Sequence, residues 1–430
     1  MRIAYIAAGA AGMYCGSCIH DNTLAAALQQ AGVEVALVPT YTPLRTDEDD
    51  VSIDQIFYGG INVYLQQKVA LFRHTPWVLD RILDRPALLD NLSRFSASTS
   101  ARDLGALTLS VLRGEQGHQQ KELEKLVRWL KEDYRPALVQ LTNSMFVGLA
   151  RSIKKELGVP VLCALQGEDL FLDDLIEPYK TQARAVLRER AQDVDAFIAP
   201  CTYYVGVMKE YLQVAAESIH VVRLGLNLQG HGAAAGPGPD GDGPFTIGYL
   251  ARICPEKGFH LLVEAFHLLT QKLGPQKVRL EVAGYLGRKD RPYFKKEVER
   301  LRRWGLEGSF HYRGEVDRQQ KIRFLNSLHV LSVPTVYKDP KALFVLEALA
   351  NGVPVVEPQH GIFSELLQAT GGGILVEAHS AAAVAAALLQ LQSDESMRRQ
   401  LGRQGKEAVQ RDHSAAVMAA ATLEIYREYL

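Results

Sequence analysis

The chain has 430 residues, 47% of them apolar and 23% charged, with a formal net charge of −1. That length exceeds what one hydrophobic core organises, so two domains of roughly 200 residues are expected. The near-neutral balance argues against a bulk electrostatic partner, and no nucleic acid is expected to bind.

The chain opens with MRIAYIAAGAAG, which reads as a first strand and lacks the features of a signal peptide. No apolar run reaches the about 18 residues that a membrane span requires. Five cysteines in such a chain fit a reducing, cytoplasmic setting. Short apolar runs at Ile3–Ala8, Glu34–Pro39, Ala137–Leu141, Val159–Leu165 and Ala196–Ala199 predict strands buried on both faces. Helical patterns fall at Asn22–Ala31, Met145–Leu157 and Ala183–Gln192, with Gly32 and Gly158 placed as left-handed caps. This alternation predicts an α/β, doubly wound parallel sheet. Residues 60–130 break the pattern and read as a helical insertion. There Trp77, Phe72, Leu79, Leu83 and Leu88 interleave with Lys68, Arg73, Arg81 and Arg85. Two readings stand: a cover for a cleft, or a partly basic acceptor or peripheral membrane-surface site.

Gln229–Pro244 (QGHGAAAGPGPDGDGP) has no periodicity and reads as a linker after a first domain of residues 1–228. The alternation then restarts over 245–412, with strands at Phe245–Leu250, Val278–Ala283, Ser309–Arg313, Val330–Val333, Pro354–Glu357 and Gly373–Val376. Helices are predicted at Phe259–Leu273, Pro292–Trp304, Arg318–Asn326, Ala342–Ala350 and Ala381–Ser393. A last helix over residues 413–430 is expected to pack back on the first domain.

Open α/β sheets bind ligands at the carboxyl ends of their strands, and the polar candidates fall there. After the first strand, Gly9, Gly12 and Gly16 form a turn ahead of a helix. Such a turn can hold a phosphate or can simply be tight; neither GxGxxG nor a P-loop is met. Cys15 and Cys18 form a CxxC, either redox- or metal-active or two small residues of the same turn. No second ligand pair for a metal is seen. Arg252 follows a strand and Lys257 opens a helix five residues later. They can converge on one anion, or remain solvated loop cations. Asp339 precedes Pro340 at another helix start, and Glu347 lies eight residues on, amid Val345, Leu346, Ala348 and Leu349. Asp339 is either a ligand-binding acid or an N-cap, and the N–H groups of Lys341, Ala342 and Leu343 are expected to be free beside it. Glu347, in an apolar turn, needs a partner such as a ribose diol. Two cations and two acids suit a ligand with a diphosphate and hydroxyls.

On these residues the chain resembles the retaining glycosyltransferases of family 4, over nearly its whole length and most strongly from Phe245 to Leu367. The resemblance implies a GT-B fold, two facing Rossmann-like domains, here with a helical insertion in the first. It implies that Arg252 and Lys257 hold the donor diphosphate and that Asp339 contacts the donor sugar. The amides of Lys341, Ala342 and Leu343 would hold sugar and phosphate oxygens, and Glu347 the ribose. Gly16 would lie in the loop against the phosphate, Val316 would seat the base, and Gly225 matches the element closing the first domain. Three positions depart from the family pattern: Asp339 replaces Glu, Ala251 replaces Gly, and Gln166 takes the place of a His. Gln166 can hydrogen-bond a sugar hydroxyl but cannot carry a proton.

The reading is a hexosyltransferase that moves a sugar from a nucleoside-diphosphate sugar, UDP or GDP, to an acceptor hydroxyl with retention. No cofactor or metal is expected, the two cations standing where Mg²⁺ stands elsewhere. Closure about the linker would exclude water. The acceptor, a small metabolite, a glycan or a lipid, is left open, as is oligomeric state. Two alternatives compete: a non-hydrolysing sugar-nucleotide epimerase using Glu168 and Asp169, and a sugar-nucleotide-binding protein without turnover. A dinucleotide oxidoreductase fails, because Val38-Pro39-Thr40 puts no acid at the end of the second strand.

Overall fold

The computed structural model describes residues 1–9, 16–59, 63, 66, 67, 101–232 and 243–430. Residues 10–15 (with Gly12 and Cys15), the centre of the linker, and the Trp77, Phe72 and Arg81 region of the insertion lie outside the described residues. The chain forms two compact units, Met1–Gly225 with Ala415–Leu430, and Leu226–Ser414.

In the first unit, β1 (Arg2–Ala8), β2 (Glu34–Thr40), β3 (Leu138–Leu141), β4 (Val161–Ala164), β5 (Ala196–Ala199) and β6 (Ile219–Val221) form one sheet in the order β2-β1-β3-β4-β5-β6. Every pairing is parallel. β3, β4 and β5 are buried at every residue, which is why their sequences show no polar alternation, Gln140 of β3 being the one polar residue among them. Helix α1 (Gly16–Gln30) follows β1, and the described part of the insertion supplies α2 (Ala101–Leu112) and α3 (Gln120–Trp129). The helix expected at Met145–Leu157 divides into a 3₁₀ segment, Ser144–Leu149, and α4 (Ala150–Leu157). Asn143 sets this up: its side chain accepts from Met145 N (3.1 Å), so the chain enters by a tight turn. Then come α5 (Glu168–Asp173), α6 (Tyr179–Ala191) and α7 (Thr202–Leu212).

The second unit repeats the pattern with β7 (Phe245–Leu250), β8 (Val278–Ala283), β9 (Phe310–Tyr312), β10 (Val330–Leu331), β11 (Val355–Pro358) and β12 (Gly373–Val376). Its all-parallel order is β12-β11-β10-β7-β8-β9. Around it lie α8 (Phe259–Leu273), α9 (Arg291–Arg303), α10 (Arg318–Asn326), α11 (Leu343–Ala350), α12 (Phe363–Thr370), α13 (Ala381–Ser393) and α14 (Glu395–Asp412). The strand order reverses between β7 and β10. In such sheets the crevice at that switch point is the ligand site, and the loops after these two strands carry Arg252, Lys257 and Asp339.

The last helix, α15 (Ala415–Tyr429), returns to the first unit and packs on α1. Met418, Ala419, Leu423, Ile425 and Tyr426 enter the same apolar cluster as Leu24, Ala25 and Leu28. The Tyr426 hydroxyl donates to Gln140 Oε1 on the central strand β3. Tyr426→Ala is expected to cost about 3–5 kcal/mol of stability from the cavity, and Tyr426→Phe about 1 kcal/mol from the lost hydrogen bond. Urea unfolding of the two variants measures both.

Candidate functional site

Gly258 brings the two switch-point loops together. After β7 the chain makes a 3₁₀ turn, Pro255–Lys257, and Gly258 ends it at φ +69°. A Cβ there would lie 1.7 Å from the carbonyl oxygen of Pro334, in the loop after β10. Only glycine permits both the left-handed backbone and that contact. A backbone bond from Val336 N to Glu256 O (2.8 Å) joins the same loops.

The result is a buried ion pair between Lys257 Nζ and Asp339 Oδ2, 2.7 Å apart. Tyr337 OH donates to the same oxygen (2.8 Å). Lys257 also lies over the Tyr337 and Phe344 rings, 5.0 and 5.3 Å from their centroids. Burial alone would lower the Lys257 pKa, but Asp339 and Tyr337 outweigh it and hold the ammonium above the usual lysine range. Burial alone would likewise raise Asp339. The Lys257 charge and hydrogen bonds from Lys257, Lys341 N and Tyr337 bring it down to about 2. Glu357, on β11, is fully buried, accepts from Val333 N (3.1 Å), and is pushed well up by burial.

The other oxygen of Asp339, Oδ1, accepts from Lys341 N (2.9 Å) and Ala342 N (3.2 Å). The expectation that these two amides are free is therefore corrected: the short aspartate turns back and takes both. Ala342 holds φ +50° to reach it, a left-handed alanine at the entry to α11. Such a conformation costs on the order of 1–3 kcal/mol and persists where surrounding contacts enforce it. Leu343 is the first residue of α11.

Glu347 also departs from expectation. Its buried carboxylate has a protein partner, Lys321 Nζ, 2.5 Å from Oε1. The sequence reading did not single out Lys321, although the signal was present. Lys321, Phe324 and Leu325, at helical spacing, are the buried residues of α10, so a lysine stands on an apolar face. Val316 is half-buried in the loop before α10, one residue ahead of the Asp317–Gln320 capping box. Arg252 is exposed at the end of β7, with the charges of Glu256 and Asp290 nearby.

In the first unit, Gly16 opens α1 and is half-buried. Cys18 is buried, its thiol on Ala8 O (3.2 Å). Gln166 follows β4, and its amide NH₂ points inward to Asp21 Oδ1 (2.8 Å) and Thr142 O (2.9 Å). Asp21, fully buried, also accepts from Tyr5 OH (2.6 Å) and Thr142 Oγ1 (2.5 Å). Glu168 accepts from Ser144 N (2.8 Å) and Gln166 N (2.7 Å), and burial raises its pKa. Asp169 takes the Tyr204 hydroxyl. Both acids proposed for an epimerase thus hold their own loops, which does not favour that alternative.

The sequence also matches two family models. Residues 22–225 match a glycosyl transferase 4-like domain, and residues 238–408 match glycosyl transferases group 1. The chain belongs to the family 4-like glycosyltransferases. Among similar proteins, phosphatidyl-myo-inositol mannosyltransferase of Mycobacterium leprae is 28% identical over 42% of this chain. That alignment takes in only 46% of the relative's length. Alpha-maltose-1-phosphate synthase of Mycolicibacterium smegmatis is 28% identical over 68% of this chain and 79% of its own. The solved structure of Anabaena HepE in complex with UDP superposes with a TM-score of 0.69 at 14% identity, covering 100% of both chains. That likeness shows the fold, which is GT-B.

The Asp339 shift has a signed consequence. Its pKa falls from about 3.9 unfolded to about 2 folded. The pair therefore stabilises the fold fully above pH ~4, and this contribution is lost as pH falls from ~4 towards ~2. The loss is expected to be about 2.5 kcal/mol. Asp339→Asn should be less stable at neutral pH and lack that part of the acid-side decline, as read from urea midpoints at several pH values.

Proposed function

We propose that this glycosyltransferase moves a hexose from a nucleoside-diphosphate sugar, UDP being favoured over GDP, to an acceptor hydroxyl, with retention and without a metal. The observation that carries the reading is the buried Lys257–Asp339 pair at the β7/β10 switch point. It fixes a cation at the place where an open α/β sheet takes its ligand. UDP is favoured because a structure of the same fold binds it.

In this reading Arg252 and Lys257 hold the diphosphate. Gly16, with the α1 N-terminus, lies against it, Val316 seats the base, and Glu347 accepts from the ribose. Asp339, whose two oxygens are taken by Lys257, Tyr337 and the Lys341 and Ala342 amides, serves the donor by keeping Lys257 charged and in place. Leu343, at the start of α11, offers its N–H to sugar or phosphate oxygens. The Lys341 and Ala342 amides act through Asp339, and Gln166 through the carbonyl of its side chain. The acceptor oxygen attacks the anomeric carbon from the face of the leaving group. The bond from that carbon to the phosphate oxygen breaks, and the acceptor proton passes to the departing phosphate oxygen. Negative charge grows on the diphosphate as that bond lengthens, so cations already in place stabilise the transition state more than the bound donor. No external base or metal enters this scheme.

A thermal-shift panel of UDP, GDP, ADP, CMP and dTDP with their sugar conjugates tests the donor class, since a ligand of the folded state raises the melting point. A rise with UDP or a UDP-sugar is expected; a rise with no diphosphate would remove the reading. With the donor known, Lys257→Ala and Arg252→Ala are each expected to lose about 2–4 kcal/mol of transition-state stabilisation in kcat/KM. Glu347→Ala should instead weaken nucleotide binding.

A further inference from the structure

Lys321 is a cation in a place that local rules disfavour. It is the fourth residue of α10, within the first turn, where the helix dipole repels positive charge. It is also 7% exposed and shares its helix face with Phe324 and Leu325. Removing an ammonium from water is costly, and a buried ion pair seldom recovers more than a well-packed apolar pair would give. Stability alone therefore does not account for this lysine. Its helix is set by the Asp317–Gln320 capping box, and its ammonium meets Glu347 Oε1 at 2.5 Å.

The strap 227–232 fixes the same two helices from the outside. Arg318 of α10 donates to Asn227 O (2.7 Å) and Gln229 O (2.9 Å). Asn351 donates to Glu347 O (2.8 Å) and accepts from Gly232 N (3.1 Å). Glu347 is thus held at its backbone carbonyl and at one carboxylate oxygen. Its side chain keeps 12% exposure, and among the described residues Lys321 is the only partner of its carboxylate.

We propose that Lys321 is a positioning residue for nucleotide recognition, anchoring Glu347 Oε1 so that the second oxygen is presented to a ribose hydroxyl of the nucleoside diphosphate. This rests on the reading of Glu347 as the ribose-binding acid. An acid with one oxygen fixed has no free rotation about its last bond, so less freedom is lost when the ligand binds.

Calorimetric titration of the full chain with UDP and GDP, each beside its 2′,3′-dideoxy counterpart, tests it. The wild type is expected to prefer the ribonucleotide by on the order of tenfold or more, the worth of one charge-assisted hydrogen bond. Lys321→Met should remove most of that preference while leaving affinity for the dideoxy form unchanged, and Lys321→Arg should restore part of it. In turnover the loss should fall on donor KM, with kcat at saturating donor little changed. A Lys321→Met protein that keeps the wild-type preference, or that weakens both forms equally, overturns the proposal. A wild type that does not distinguish the two forms instead overturns the ribose role of Glu347. Should Lys321→Met not fold, Lys321→Gln carries the same comparison.

Discussion

One buried charge pair organises the second unit's site. Lys257 and Asp339 come from loops 82 positions apart in sequence, and neither charge would be stable there alone. An isolated ammonium or carboxylate out of water loses several kcal/mol of solvation. Together they lie 2.7 Å apart with Tyr337 completing the hydrogen bonds. The rest of the switch point is shaped so that this pair can form. Gly258 lets one loop touch Pro334 O, and Gly361, at φ +57°, lets the loop after β11 lie against the Asp339 backbone. Ile362 N then donates to Asp339 O (2.9 Å).

The same logic recurs about one turn along α11. Asp339 stands before that helix and Glu347 lies within it, and each has a lysine of its own, Lys257 and Lys321. The helix is short and apolar, and its seven residues from Phe344 to Ala350 are all buried. Its polar function is carried by the loop ahead of it and by one glutamate. Fixing both acids with dedicated cations gives a preorganised arrangement that needs little rearrangement to meet a ligand.

In the second unit Phe245–Leu250, Val278–Ala283 and Gly373–Val376 appear with the expected limits, because apolar, aromatic and β-branched residues dominate each of them. β6 was not readable; it has three residues at a sheet edge, with His220 at its centre. α7 (TYYVGVMKEYL) mixes aromatic, β-branched and glycine residues, all weak helix formers. Within the site, residue types and helix starts could be seen, but partners could not. The bonds of Lys321 to Glu347 and of Gln166 to Asp21 join positions 26 and 145 apart. Nothing local signals such pairs. The Asp339 side chain illustrates the point: its spacing allowed either a ligand or a cap, and the shorter acid closes on its own backbone.

The first unit is not continuous in the chain, since α15 follows the whole of the second. On a ribosome adding roughly 5–20 residues per second, the first unit's sheet emerges some 10–40 s before α15 does. Through that interval the apolar side of α1 that Met418, Leu423 and Tyr426 later cover stands open, a surface on which a chaperone can act and a nascent chain can aggregate. The first unit is thereby complete only once synthesis has passed α15, and a chain that stops short of that helix leaves this apolar side uncovered.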